Sequence, residues 1–426
     1  MPTLDKKNLD SKKIDGISAG ISEILNSVLA DYVVDTGQTI EANDIVQLIN
    51  DKVNNPNYDV ESNTSFNFSA NVVDCISATK LDSSKVLVAY RDTSDSKGKA
   101  IVLSISGTVI TKGTEFEFNA NSVTYMSATT LDSGKALVVY YNPSNSSMCS
   151  TVLSVSGTTI TKGVELVIDT TGSARTLCVS ALSSTKAIVA YADYSNSEYG
   201  QAIILSISVT TITKGTVIEF NSATTGSISV SALSETKVIV AYDNSAGTAI
   251  VLSISGTTIT KGTAFVFNSS SYISGSSSVA LDATKVLVAY NDFTSTDYGK
   301  VIVLSISDTT ITKGTAVTFF SANVSYIATA LIDSTKVLLA YKNPTTSGLD
   351  TAILKIVGTV ISIGNIEIID TSNPSYIAVT TIDSKKILIT YRETTGKSEV
   401  LTPSAIVNGI STKAGTAGNT IPIWAW

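Results

Sequence analysis

Hydrophobic positions along this chain fall into short runs that return at a fixed interval. Lys-Val-Leu-Val-Ala-Tyr at 85–90 comes back, with small apolar exchanges, at 135–140, 186–191, 237–242, 285–290, 336–341 and 386–391. The closing tyrosines, Tyr90, Tyr140, Tyr191, Tyr242, Tyr290, Tyr341 and Tyr391, are spaced 48 to 51 residues apart. A fixed period of this length marks one supersecondary unit repeated in space. Each copy carries four strand signals separated by turn chemistry. In the second copy they are Tyr125 to Leu131, Lys135 to Tyr140, Thr151 to Ser156 and Ile160 to Ile168, with turns at Asp132-Ser133-Gly134 and Gly157-Thr158. The second and third signals are nearly continuous apolar runs, as strands buried on both faces require. The fourth alternates, as in Glu115-Phe116-Glu117-Phe118, which suits a partly solvated outer strand. Four antiparallel strands per repeat, sandwiched between neighbours, predict an all-β fold, a seven-bladed β-propeller.

The ends of the repeat array point to ring closure. The seventh copy has its first three strands (Tyr376–Ile382, Lys386–Tyr391 and Glu399–Leu401) but no Thr-Ile-Thr-Lys-Gly segment. Upstream of the first copy stands an orphan fourth-strand signal, Ser65-Phe66-Asn67-Phe68. The orphan is expected to complete the last blade, so that the ring exposes only short blade edges.

The propeller is assigned residues 57–403. Residues 1–30 read as a polar arm and a short helix in which Ile14, Ile17, Ile21, Ile24 and Val28 form a heptad seam. Isoleucine at both core positions of a heptad favours trimers, so a homotrimer is one expectation. Gly16 and Gly20 weaken the helix, and an amphipathic helix packed on its own domain is the other. Residues 31–56 and 404–426 show strand alternation broken by Gly and Asn. They are read as one small discontinuous β-domain into which the propeller is inserted.

Composition narrows the chemistry. A net charge of −7 and a pI near 4.8 argue against nucleic acid or an anionic membrane as partner. No secretory leader is visible at the start, and no apolar run approaches the length of a membrane span. The absence of histidine removes Ser-His-Asp and Cys-His catalysis and the commonest zinc ligand. Cys75, Cys149 and Cys178 show no metal spacing, and no cofactor is expected. Calcium loops of the Asp-x-Asp-x-Asp-Gly kind are missing, Asp292 and Asp297 being the nearest approach. So are the Ser-x-Asp-x-Gly-x-Thr-Trp box of propeller sialidases and the WD40 and kelch signatures. Carboxylates are plentiful enough for a glycosidase pair, but the sequence singles none out.

The copies differ in an instructive way. Lysine begins the second strand in all seven, and Asp82, Asp132, Asp282, Asp333 and Asp383 stand three residues before it in five, which reads as turn closure. Turns between first and second and between third and fourth strands are nearly identical. Loops from second to third strand, and from one blade into the next, vary freely, and both classes emerge on one face of a propeller. That face collects Tyr141, Tyr194, Tyr199, Phe293 and Tyr298 in one loop class, and Tyr125, Tyr326 and Tyr376 near the other. Aromatic rings on polar loops suit recognition, stacking on sugars in particular. It also takes all three arginines: Arg91 and Arg392 directly after repeat tyrosines of the first and last blades, and Arg175 in the loop entering the third. A guanidinium fork fits carboxylate or phosphate, so Arg91 and Arg392 are the expected clamp for an anionic sugar or wall polymer, with Arg175 peripheral. The plainer expectation pairs each arginine with a carboxylate such as Asp92, Asp193 or Glu393.

The segments flanking the repeat, ending Ala414-Gly415-Thr416-Ala417-Gly418-Asn419-Thr420-Ile421, resemble small β-domains of tailed-bacteriophage virion proteins. The repeat, with Leu-Asp-Ser-x-Lys-Val-Leu-Val-Ala-Tyr and Val-Leu-Ser-Ile-Ser-Gly-Thr-Thr-Ile-Thr-Lys-Gly, resembles propeller repeats of phage tail-fibre and virion-surface proteins. Together the two cover residues 31–426. They imply a non-enzymatic protein located on the virion, with other virion proteins and a host surface polysaccharide as partners. A capsid decoration or head-fibre protein and a glycan-cleaving propeller enzyme are the alternatives.

Overall fold

The structure is a computed structural model that describes residues 57–170, 174–269, 272–293 and 298–406. The expected helix and trimer seam of residues 1–30, the flanking segments assigned to a small β-domain (apart from the backbone of 404–406), and Asp297 lie outside the described residues. One compact unit spans Val60–Pro403.

Seven antiparallel sheets make up this unit, and the chain is an all-β seven-bladed propeller. Blade 1 is typical. Its inner strand Val73–Lys80 pairs with the second strand Lys85–Asp92, which pairs with the third, Lys97–Ser106. The outer position is split into Val109–Lys112 and Phe116–Ser122, both paired to the third strand. The remaining inner strands are Thr124–Asp132, Ala174–Ser183, Gly226–Ser234, Ile273–Asp282, Ser325–Asp333 and Ser375–Asp383. Each packs against the next, and Ser375–Asp383 packs against Val73–Lys80, so the ring is closed.

Two strand expectations need correction. The third strand of blade 2 starts at Ser147 rather than Thr151. The single fourth strand expected from Ile160 to Ile168 is two strands, Thr159–Lys162 and Leu166–Asp169. The break follows from packing between blades. In blade 1 it falls at Gly113, where a Cβ would sit 2.7 Å from Thr158 Cβ in the turn of blade 2, and Gly163, Gly215, Gly262 and Gly314 meet threonines of the following blade in the same way. Blade 6 carries Ile363-Gly364 in place of Lys-Gly, and its outer strand, Val360–Asp370, runs unbroken.

One set of contacts recurs at five of the seven seams. Phe118 lies over Gly98 of its own blade, where a Cβ would come within 2.6 Å of the ring. Its far side meets Tyr140 of blade 2, ring centroids 5.4 Å apart. Phe220–Tyr242, Phe267–Tyr290 and Phe319–Tyr341 repeat this. All seven repeat tyrosines are buried. Toward the axis, an inner strand has no strand neighbour within its blade on one edge. Hydroxyls of the preceding blade satisfy the exposed donors there. Ala128 N donates to Ser77 Oγ at 2.9 Å, Ala181 N to Thr129 Oγ1 at 3.1 Å, Ser278 N to Ser229 Oγ at 2.8 Å and Thr329 N to Ser277 Oγ at 3.1 Å.

Closure uses the same seam. Phe66 and Asn67 pair with Ser398 and Lys397 of the last blade's third strand, Gly396–Ile406, as the orphan signal predicted. Phe68 covers Gly396 and meets Tyr90 of blade 1 edge-on, with centroids 5.3 Å apart. The chain start supplies more than was read from the sequence. Asn57–Ser62 also pairs with Gly396–Ile406, in the place that Thr-Ile-Thr-Lys holds elsewhere. Asn63 Nδ2 donates to Val400 O at 2.8 Å, and Ser62 bonds Glu399.

Candidate binding site at the channel mouth

Where each inner strand begins, the ladder to the second strand slips. The shifts fall between Asp74 and Ser77, Thr124 and Ser127, Arg175 and Leu177, Gly226 and Ser229, Ser274 and Ser277, Ser325 and Ala328, and Ser375 and Ala378. Every slip contains one residue in the left-handed region: Cys75, Tyr125, Thr176, Ser227, Gly275, Tyr326 or Tyr376, with φ between 43° and 57°. Such bulges re-aim side chains beside functional sites. Only one of the seven is glycine. For the others the conformation costs roughly 1–2 kcal/mol each. Glycine marks only Gly275 among these positions, so the shared conformation of the ring was not legible from the sequence, although Tyr125, Tyr326 and Tyr376 were named as candidates.

These seven residues surround the end of the channel on the face that bears the variable loops. Opposite each slip, on the second strand, stands the residue after the repeat tyrosine: Arg91, Tyr141, Ala192, Asp243, Asn291, Lys342 or Arg392. The two sets make a rim whose chemistry changes from blade to blade.

Across blades 6 and 7 the rim forms one continuous run of cation and ring contacts. Lys342 Nζ lies 6.0 Å from the centroid of the Tyr326 ring, and Tyr326 meets Tyr376 at 5.3 Å. The Arg392 guanidinium then covers Tyr376 at 4.7 Å. Arg392 Nε donates to Ser375 Oγ at 2.9 Å, which fixes the plane of the fork. Among the described residues no carboxylate pairs with Arg392. The adjoining Arg91 differs. Its Nε donates to Asp74 Oδ1 at 2.6 Å and its Nη2 bonds Asp74 Oδ2. That bidentate pair holds the Arg91 guanidinium above its usual pKa, and Asp74 is buried. Arg91 therefore adds shape and hydrogen bonding to the rim but no net charge.

The loop carboxylates take other partners. Asp92 is buried and accepts from Lys99 Nζ at 2.7 Å, from Asn71 and from Ser94. Burial alone would raise its pKa, but these donors more than offset that and lower it. Asp193 caps the loop through Ser195 N at 3.0 Å, and Glu393 pairs with Lys397. The expectation that arginines pair with Asp92, Asp193 or Glu393 is thus corrected for Arg91 and Arg392. Each of those carboxylates sits two residues past the repeat tyrosine, a recurring Asp, Asn or Glu that marks loop capping. Across the ring, Asp243 of blade 4 accepts from Ile273 N at 2.8 Å, and burial raises its pKa.

The remaining candidates divide. Tyr125 is exposed on blade 2, next in the ring to Cys75, whose thiol burial pushes to about 11. Arg175 occupies a ring position by its backbone, paired with Ala192. Tyr141 is a correction: it is buried against blade 2 and offers no exposed ring. Tyr194 and Tyr199 flank the loop of blade 3, one strand farther from the axis, and Phe293 and Tyr298 flank that of blade 5. The sequence reading missed Tyr272, half exposed and stacked on Phe293 with centroids 4.5 Å apart and planes 14° from parallel. Asp74 and Lys342 were missed too, because their roles depend on cross-strand partners. Among the described residues, no set of three or more Cys, Asp and Glu side chains is arranged to hold a metal ion.

The class defined by this architecture is the seven-bladed β-propeller. The fold is similar to the WD40 domain of Toxoplasma gondii coronin, with a TM-score of 0.58 over 82% of this chain and 86% of that one, at 7% identity. It is also similar to Sqt1 of Chaetomium thermophilum bound to the N-terminus of ribosomal protein L10, with a TM-score of 0.50 over 80% and 91% at 11% identity. No family model matches the chain, and no curated protein matches its sequence.

Proposed function

We propose that the chain is a non-enzymatic recognition protein of a tailed-phage virion surface, whose channel mouth binds an anionic polysaccharide of the host envelope. The observation that carries the binding reading is the run Lys342–Tyr326–Tyr376–Arg392. It sets two cations with no carboxylate partner among the described residues on two aromatic rings whose backbone is held in a costly conformation. A sugar ring stacks on tyrosine, while its carboxylate or phosphate meets the Arg392 fork. The virion placement rests on the sequence resemblance of the repeat and flanking segments. A non-catalytic role is supported by how the rim carboxylates are engaged, Asp74 by Arg91 and Asp243 by a backbone donor, on blades well apart around the ring.

The test compares Arg392→Lys and Tyr376→Ala with the parent protein by calorimetry, using oligogalacturonates and glycerol-phosphate oligomers as the two anionic series. One series is expected to bind, with loss of about tenfold or more in each variant. Unchanged binding in both variants would remove the reading.

A further inference from the structure

Resting on the mouth reading above, we infer that the ligand is an extended polymer lying along an arc of the rim, with a second subsite on blade 5 made by Tyr272 and Phe293. These two rings stack nearly parallel, and Phe293 N donates to Tyr272 O at 3.2 Å, so backbone and side chains fix the pair together. Tyr272 is 50% exposed, among the most exposed aromatic side chains described. A pre-stacked pair loses little rotamer freedom on meeting a further flat ligand, which favours binding. Tyr298 stands across the same loop with Lys300 Nζ 5.9 Å from its ring, and Lys300 is itself neutralised by Asp292 at 2.5 Å. Blade 5 is therefore an aromatic platform without net positive charge, beside the cationic run of blades 6 and 7.

The order around the ring gives the path. Blade 5 offers Tyr272, Phe293 and Tyr298; blade 6 Tyr326 and Lys342; blade 7 Tyr376 and Arg392; blade 1 Arg91; blade 2 Tyr125; and blade 3 Tyr194 and Tyr199. Blade 4 interrupts it, with the short loop Asn244-Ser245-Ala246 and the carboxylate Asp243. Its described mouth residues include no exposed aromatic ring. A monosaccharide would use one station of this arc; only a chain of sugars uses several. An anionic chain would also be turned away from blade 4 by Asp243, which sets the two ends of its track.

The experiment measures calorimetric affinity for a disaccharide and an octasaccharide of each anionic series, with the parent protein, the double variant Tyr272→Ala/Phe293→Ala, and Tyr272→Phe. The octasaccharide is expected to bind the parent about tenfold or more tightly than the disaccharide. The double variant should lose that advantage while keeping disaccharide affinity, and Tyr272→Phe should retain it. Because a longer chain also gains from having more registers, loss in the double variant is the decisive sign. An equal length advantage in parent and double variant would overturn the blade 5 subsite and leave the mouth reading standing. No binding of either series at either length would overturn both.

Discussion

The seams between blades and the mouth of the channel use the same strands under opposite constraints. Along most seams the residues are alike from copy to copy: at five of the seven a phenylalanine lies over a glycine with its far side on the next blade's tyrosine, and at five a threonine turn meets a glycine. At the mouth the backbone conformation is repeated seven times while the side chains fall into five types: Cys75, Thr176, Ser227, Gly275 and the three tyrosines Tyr125, Tyr326 and Tyr376. A seam must fit only another copy of itself, so one solution serves most of them, and where it is exchanged, as with Met148 and Ile168 against Tyr191, it is for other apolar residues. The mouth keeps a costly backbone without converging on glycine, the residue that removes the cost. Packing alone does not require that choice, whereas the proposed recognition of one asymmetric ligand would favour it.

The largest expected effect tests whether the closing seam equals the internal ones. Phe68→Ala and Phe118→Ala remove the same ring from the same surroundings, and each should cost about 3–5 kcal/mol. Only Phe68 belongs to a segment joined to its blade without covalent continuity, so Phe68→Ala should also speed limited proteolysis between residues 57 and 72. Denaturant unfolding followed by near-ultraviolet dichroism, with a protease time course alongside, measures both. A negligible loss in Phe68→Ala beside a full loss in Phe118→Ala would show that closure contributes little.

A smaller effect sharpens the other half of the comparison. In Tyr376→Gly the strain of the left-handed backbone, roughly 1–2 kcal/mol, is relieved. Lost at the same time are the contact with Tyr326, about 0.5–1.5 kcal/mol, and that with Arg392, about 0.5–1 kcal/mol at an exposed site. The terms nearly cancel, so the unfolding midpoint should hardly move while binding falls. A large destabilisation would place Tyr376 with the seam residues, as structure rather than recognition.

How far the sequence could be read follows the same division. The fold was legible because the seam repeats: seven tyrosines count the blades, and the missing Thr-Ile-Thr-Lys-Gly beside the orphan Phe66-Asn67-Phe68 gives the closure. The broken outer strand was not, because Gly113 ends its strand by meeting a threonine of the following blade, which no local pattern records. At the mouth, Arg392 and Tyr376 could be named as ligand candidates from their loop class. The Asp74 partner of Arg91 could not, since it is a cross-strand neighbour 17 residues away. Tyr272 lay at the edge of a loop whose register the repeat does not fix.

The smallest expected effect belongs to the face opposite the mouth, where the copies are again alike. There Asp82, Asp132, Asp282, Asp333 and Asp383 each pair with the lysine three residues on, at 2.8 to 3.1 Å. In blades 3 and 4 serine takes the aspartate's place, and Ser183 and Ser234 accept the turn amide instead. Bonding by Thr284, aided by Lys285, lowers Asp282 from 3.8 to about 2. A carboxyl lowered on folding binds its proton more weakly in the folded state than in the unfolded one. Its contribution is therefore whole above about pH 4 and drains away as pH falls toward 2. Asp282 and Lys285 are both well exposed, so solvent screening holds the pair to roughly 0.5 kcal/mol. Buried carboxyls such as Asp350 and Glu399 are shifted the other way by burial, so the raw acid curve mixes both signs. The difference between the parent and Asp282→Asn isolates the turn. That difference should be constant from neutral pH to about pH 4 and shrink below it, whereas Ser183→Ala should give a difference with no slope over the same window. A parent-to-Asp282→Asn difference that stays flat down to pH 2 would mean that the aspartate acts only as a hydrogen-bond acceptor. The charge of its lysine partner would then contribute nothing, and the five aspartate turns would be equivalent to the two serine ones.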